Sequence, residues 1–461
     1  MTVFSWVTLI LLLVLVLGSG IFQSKKVSNL NSYLLADRKT KLFALVATLV
    51  MTEFNTATLI SFSCAGFYAH WWALTLPLVF LVGLLFYALT VAKKWKNFNG
   101  VCVTDFFAKR YNPRLAKLAS FILFIAMAGF SATYIKSITV IFSLLFPQLN
   151  AWLLSALLLS LIFSMTWRGG LLSIIRTDRI SFCIIIFFFP ILLFSACQLP
   201  SSADVVPATL QQMQQSLPPS FVGSLVLLTM FSYILAPWYG QKVISADSPR
   251  TAVLAVIIAA FLVCILYSLG VLATWQLSRK GISLASPEHA LPYLIEHALP
   301  VGLQGIAYGT LFITTATTLS GVWSAMVTLL IGNQQLQTSK RHLHEGLILN
   351  GVCCVLTYIL ANVFIDKIFS KMILLNIPIV ALSFALLAGF YWKKATVTGA
   401  YISIVVGLLW GSGCFFYYGE ENIYTWYWAV FGIPLIFMSG IAGSLLSIKQ
   451  PKALVFQSFL Q

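Results

Sequence analysis

Apolar residues in this chain run in blocks too long for ordinary strands and too continuous for surface helices. Thirteen blocks cover residues 3–22, 42–67, 71–92, 115–145, 151–166, 180–197, 221–241, 251–275, 302–332, 343–365, 371–391, 397–417 and 425–447. A helix needs about 20 apolar residues to cross the hydrocarbon of a bilayer. Helices and closed barrels alone keep every backbone polar group paired in lipid. The pattern predicts an all-α polytopic membrane protein with about 13 transmembrane helices. At about 22 residues each, the segments use about 286 positions and leave about 175 for loops and ends. No attached soluble domain is expected.

Composition agrees. Hydrophobic residues make up 60% of the 461 positions and charged ones 9%, against about 25% charged in soluble domains. A soluble enzyme, a nucleic-acid binder and a disordered scaffold are excluded. The net charge of +16 reads as topology rather than as a ligand site. With the N-terminus outside, 23 of the 28 Lys and Arg fall in cytoplasmic segments or at their edges. Arg279, Lys280, Lys367 and Lys371 fall outside, and Lys136 lies within a span. That asymmetry follows the positive-inside rule and puts the C-terminus inside a cytoplasmic (inner) membrane. Lys25 and Lys26 follow the first span and no Lys or Arg precedes it, the reverse of a cleaved signal peptide. The eight cysteines form no CxxC pair and read as small apolar packing residues. His342, His344 and Glu345 make a weak local cluster without metal-ligand spacing.

The loops differ by side. Segments 23–41, 93–114, 167–179 and 242–250 are basic, whereas 198–220 is rich in Gln, Pro and Ser without Lys or Arg. Segment 276–300 is expected to hold a short amphipathic helix. Spans two to six and seven to eleven form two groups of five, and an odd count inverts the second group relative to the first. Inverted repeats of this kind place a binding site at the midplane beside broken helices. The expected division of the single transmembrane domain is an extra helix and loop at 1–41, a first repeat at 42–197, an inverted second repeat at 221–391 and C-terminal helices at 392–461. Both first helices of the repeats suit a break. Span two carries Thr52–Glu53–Phe54–Asn55–Thr56 in its middle. Span seven carries Pro237–Trp238–Tyr239–Gly240–Gln241, where Pro lacks a donor and Gly permits unwinding.

Candidate chemistry lies on the same segments. Of the twelve acids, Glu53 alone sits well inside an apolar block. A carboxylate there requires a cation, a proton or a wet cavity, so Glu53 reads as a cation or proton site. Thr314, Thr317 and Thr318 share one helical face, with Ser320 nearby, and offer hard oxygen ligands; bonding back to their own helix is the equal alternative. Asp178 follows Arg168 and Arg176 and precedes Arg179. Spacing favours an interfacial ion pair or cap there over a relay for a departing cation. Lys136 leaves three readings open: snorkelling, pairing with Glu53, or standing in for a transported cation. Asn55, Thr58, Trp238, Tyr239 and Gln241 are candidate solute contacts.

Several segments together resemble the sodium/solute symporter family, which includes bacterial proline and sialic acid permeases and sodium–sugar cotransporters. SYLLADR at 32–38, the run from Glu53 ending SFSCAGF at 61–67, DFFAKRY at 105–111, MTWRGGLLSIIRTD at 165–178 and ITTATTLSG at 313–321 carry the resemblance. It implies a leucine-transporter-type fold with sodium between the first and eighth core helices. The implied ligands are the carbonyls of Met51, Phe54 and Thr314 and the hydroxyls of Thr317 and Thr318. Glu53 falls where proline-permease members carry an essential acid, and Asp178 matches an aspartate on the inward sodium path. Ala57 and Thr58 stand where sugar-type members carry Glu and Gln, which disfavours a sugar.

The sequence thus predicts a sodium-coupled symporter importing a small organic solute, amino-acid-like and of the proline type. It is expected to be no enzyme and to need no cofactor beyond the coupling ion. Sodium, solute and lipid are the expected partners, with neither nucleic acid nor an obligate protein partner. The rivals are a proton-coupled carrier using Glu53 and Lys136, and a transporter-like solute sensor. No GxxxxGK[ST] nucleotide motif is present.

Overall fold

The computed structural model describes residues 2–24, 30–98, 100, 102–166, 170–201, 207–331, 340–420 and 422–447. Lys25, Lys26, Arg168, the His342 side chain and the tail from 448 lie outside the described residues. No strand occurs among the described residues. An isolated bridge between Thr40 and Ala246 ties the segment just before Leu42 to the one just after Ile244.

The long helices are α1 (Val3–Ser24), α2 (Leu42–Glu53), α3 (Thr56–Tyr68), α4 (His70–Asn97), α5 (Pro113–Ser143), α6 (Ala151–Thr166), α7 (Gly170–Cys197), α8 (Pro219–Tyr233), α9 (Pro237–Ile244), α10 (Pro249–Arg279), α11 (Leu303–Ile331), α12 (Lys340–Val363), α13 (Ile368–Tyr391), α14 (Val397–Tyr418) and α15 (Ile423–Leu446). Among the described residues, nine helices are long and apolar enough to cross a membrane, eleven if each of two bent pairs is one span. Shorter apolar stretches lie at Val3–Leu15 and Ala151–Ser164, within two further predicted blocks. The helix expected in 276–300 forms at Ala290–His297.

Span two breaks where its polar run lies: α2 and α3 meet at 61°. Asn55 begins α3 as its cap, its side chain accepting from the Thr58 N–H. The second break differs from expectation. Pro237 opens α9 as its first helical residue, Gly240 is helical, and the non-helical residues are Ile234–Ala236 just before them. Proline suits that first turn, where its missing N–H would have no partner anyway.

The broken backbone is not left unpaired. The Glu53 carbonyl accepts from the Tyr267 hydroxyl of α10 and, at 2.9 Å, from Asn55 Nδ2. The Ile234 carbonyl at the second break accepts from Trp95 Nε1 at 3.1 Å. Each such bond contributes about 1 kcal/mol net, but leaving a buried carbonyl unpaired costs more, which is why these partners are built in.

Two of the resembling motifs are structural fasteners. In DFFAKRY, Arg110 donates to the carbonyls of Gly389, Trp392 and Ala395, and the Tyr111 hydroxyl donates to the Ala385 carbonyl, clamping α13. Gly170 opens α7 at φ +52°, with the Tyr33 carbonyl too near for any Cβ. Small residues close other helix contacts: a Cβ on Gly66 of α3 would lie 2.6 Å from the Val271 carbonyl of α10.

Candidate transport site

A cavity opens beside the first break. Glu53, Asn55, Thr58, Ser232, Tyr233 and Trp238 supply its polar groups, Tyr233 and Trp238 lying next to Glu53. Elsewhere the wall is aromatic. Phe80 packs edge-on to Tyr233 at 5.8 Å and to Tyr267 at 5.7 Å, and Phe130 tilts on Trp238 at 5.5 Å. Asn376, where α13 bends, supplies a further amide. Neither Tyr233 nor Asn376 stands out in the sequence, since each lies in a largely apolar run, and only the fold brings both to the cavity.

Glu53 is 3% exposed. Its Oε2 accepts from the Tyr233 hydroxyl, while Oε1 is buried without a hydrogen-bond partner among the described residues. A buried carboxylate with one oxygen spare beside a cavity is an invitation to a cationic ligand.

The oxygens named by the resemblance divide into two groups. The Thr318 hydroxyl lies 3.0 Å from the Met51 carbonyl and 2.9 Å from the Thr314 carbonyl. It has one proton to share between them. Thr317 instead bonds back to Thr314 at 3.2 Å and flanks the Asp178 carboxyl. Phe54 sits at the break, its ring 4.7 Å from that of Tyr267. Glu53 makes no hydrogen bond to Thr317 or Thr318; it faces the cavity. A hydroxyl chain lies behind the break, Thr56 to Thr315 at 2.5 Å and Ser137 to Thr56 at 3.0 Å.

Of the expected solute contacts, Asn55, Thr58 and Trp238 line the cavity. Tyr239 does not: it is fully buried, its ring 5.1 Å from Tyr87. Gln241 points away from the cavity, its amide nitrogen 2.7 Å from the Leu34 carbonyl and close to the Ser324 and Thr328 hydroxyls. In α9 successive side chains turn by 100°, so only one face of that short helix can reach the cavity.

Two charges lie elsewhere than expected. Asp178 makes an ion pair, but a buried one rather than one at the surface. It sits within α7, 0% exposed, in an ion pair of 3.1 Å with Lys242, itself 1% exposed. Lys242 opens the predicted basic loop 242–250, yet α9 carries it into the core. Lys136 is half-buried on α5 and pairs with no described acid, Glu53 included. The eight cysteines are free, and no metal-ligand cluster occurs among the described residues.

A sequence model of the sodium:solute symporter family matches residues 33–407. No curated protein sequence matches the chain. In fold, the chain is similar to the solved structure of a Na+-coupled sialic acid symporter in a substrate-bound, outward-open state, for which a novel Na+ site is described. The TM-score is 0.79 at 15% identity, over 96% of this chain and 98% of that one. The fold is therefore the inverted five-helix repeat of the leucine-transporter type.

Proposed function

The chain belongs to the sodium:solute symporter family, and we propose on that footing that it imports a small amino-acid-like solute, of the proline type, together with sodium. As a member it is a multi-pass membrane transporter and not an enzyme. The observation that carries the proposal is the pairing of a half-satisfied Glu53 in an aromatic cavity with the oxygen cluster of Met51, Thr314 and Thr318 just behind it.

In this reading sodium is held by the two carbonyls and by the Thr318 hydroxyl oxygen, whose proton turns away, and so fastens α2 to α11. The C-terminal end of α2 carries partial negative charge and draws a cation, while the N-terminal end of α3 favours an anionic solute group. Glu53 Oε1 holds the solute's ammonium, and Phe62, Phe80 and Phe130 cover its apolar body. Asn55, Thr58 and Trp238 orient it. Sodium and solute then favour one another's bound state reciprocally. The protein sits in the inner membrane with its N-terminus outside and its C-terminus inside.

The test is uptake of radiolabelled L-proline into proteoliposomes under a sodium gradient, a potassium gradient or a pH gradient, with Glu53→Gln as the control. Uptake that needs sodium and disappears in E53Q supports the proposal. Uptake that follows pH and ignores sodium supports the proton-coupled carrier instead. Solute binding without uptake supports the sensor.

A further inference from the structure

The ion pair between Lys242 and Asp178 lies outside the cavity and is built like a filled cation site. Lys242 Nζ donates to the Thr48 carbonyl at 3.0 Å, to the Thr52 hydroxyl, and to Asp178 Oδ2 at 3.1 Å. These use all three ammonium protons. The Thr48 hydroxyl donates to the same Asp178 oxygen. Gly321 of α11 lies against the ammonium, where a Cβ would meet Nζ at an ordinary contact of 3.7 Å. The second carboxylate oxygen, Asp178 Oδ1, is buried with no hydrogen-bond partner among the described residues, and Thr317 is beside it.

A carboxylate, a carbonyl and hydroxyls converging in a dry space form the donor set that hard cations take. Lysine brings a compact, tethered positive charge to it. The ligands come from α2 and α7 of the first repeat, and the cation comes from α9 of the second.

We propose that Lys242 is a built-in counter-cation: its ammonium fills an oxygen-lined cation site formed by Thr48, Thr52 and Asp178, and thereby excludes a free alkali ion from it. Like charges cannot share so small a site, so the ammonium makes sodium there unnecessary. Resting on the sodium reading above, it follows that one sodium ion, at Met51, Thr314 and Thr318, is coupled to each solute. The stand-in role left open for Lys136 belongs to Lys242 instead.

The test is the melting temperature of purified full-length protein in sodium, methylammonium or choline chloride at equal ionic strength. Wild type is compared with Lys242→Ala and with Lys242→Ala/Asp178→Asn. K242A should gain a stabilisation by sodium and by methylammonium beyond that of wild type, and the double variant should lose the gain. A K242A protein that responds as wild type does overturns the proposal. Because the gain is a difference between variants, it stands even if wild type ignores sodium, a result that would sink only the sodium reading. Should K242A fold only with one of these cations present, that dependence is the predicted gain. Should it fail with both while the double variant folds, the site takes no free cation and the proposal falls. Equilibrium binding of 22Na+ to wild type gives a check without variants: one ion per chain is expected, and two would overturn it.

Discussion

Replacing Asp178 with Asn removes the anion from a fully buried pair and leaves the Lys242 ammonium with two neutral acceptors, the Thr48 carbonyl and the Thr52 hydroxyl. Breaking a buried pair on one side costs about 3–5 kcal/mol, because the surviving charge stays desolvated. Two remaining acceptors put Asp178→Asn near the lower end, about 3 kcal/mol. Lys242→Met leaves the carboxylate with the Thr48 and Thr317 hydroxyls, and a loss in the same range, about 3–5 kcal/mol, is expected. The double variant removes both charges and keeps similar volumes, so its stability should fall within about 1 kcal/mol of wild type or exceed it. Chemical unfolding in detergent micelles, followed by tryptophan fluorescence, gives the four free energies of the cycle. The reasoning is refuted if the single losses add in the double variant to within about 0.5 kcal/mol, the scatter expected of independent sites. Additivity would mean that the ammonium and the carboxylate do not stabilise one another.

Other expectations separate the two halves of the site. Tyr233→Phe strips Glu53 of its hydrogen bond; a bond to a charged group contributes about 1.5–3 kcal/mol, so apparent solute affinity should change roughly tenfold or more in an uptake assay. Trp238→Ala should raise the half-saturating solute concentration, while Tyr239→Phe, away from the cavity, should leave it unchanged. Thr318→Val should raise the sodium concentration needed for half-maximal uptake with little effect on solute affinity at saturating sodium. Gly66→Ala forces a Cβ against the Val271 carbonyl and should cost about 1–3 kcal/mol of stability, read as a lower melting temperature.

The apolar blocks were legible because lipid imposes length and continuity on every crossing helix, and the first break was legible because Glu53 and Asn55 sit where an unbroken helix would bury them to no purpose. The second break was misplaced by a turn. Pro237 and Gly240 invited an unwound stretch, but a proline preset for a helix's first turn marks where the helix begins, so the break had to precede it. Asp178 looked interfacial because Arg176 and Arg179 flank it in sequence. On a helix one residue is a rotation of 100°, enough to carry the chain from exposed Arg179 to fully buried Asp178. Lys242 was hidden for a different reason. It follows YGQ and precedes a polar turn, so local pattern assigned it to a loop, and its partner lies 64 positions away. No periodicity reports a contact between inverted repeats; only their packing does.

That packing puts both cation positions on one helix. Thr48 and Thr52, one turn apart on α2, face the Lys242 ammonium, and the Met51 carbonyl at the end of α2 faces Thr318. Any motion that swings α9 away from both α2 and α7 separates Lys242 from Asp178 and exposes a charge pair to whatever lies outside. Burying two unpaired charges in an apolar medium is far costlier than wetting them. The open form must then let water reach the pair, or the pair must move as one body. The first alternative makes the ion pair a latch whose release is driven by hydration. The second requires α2, α7 and α9 to travel together, so that α11 slides past all three. A spin-label pair between α2 and α9 distinguishes them: a distance that changes when solute is added under sodium supports the latch, and a constant distance supports the rigid body.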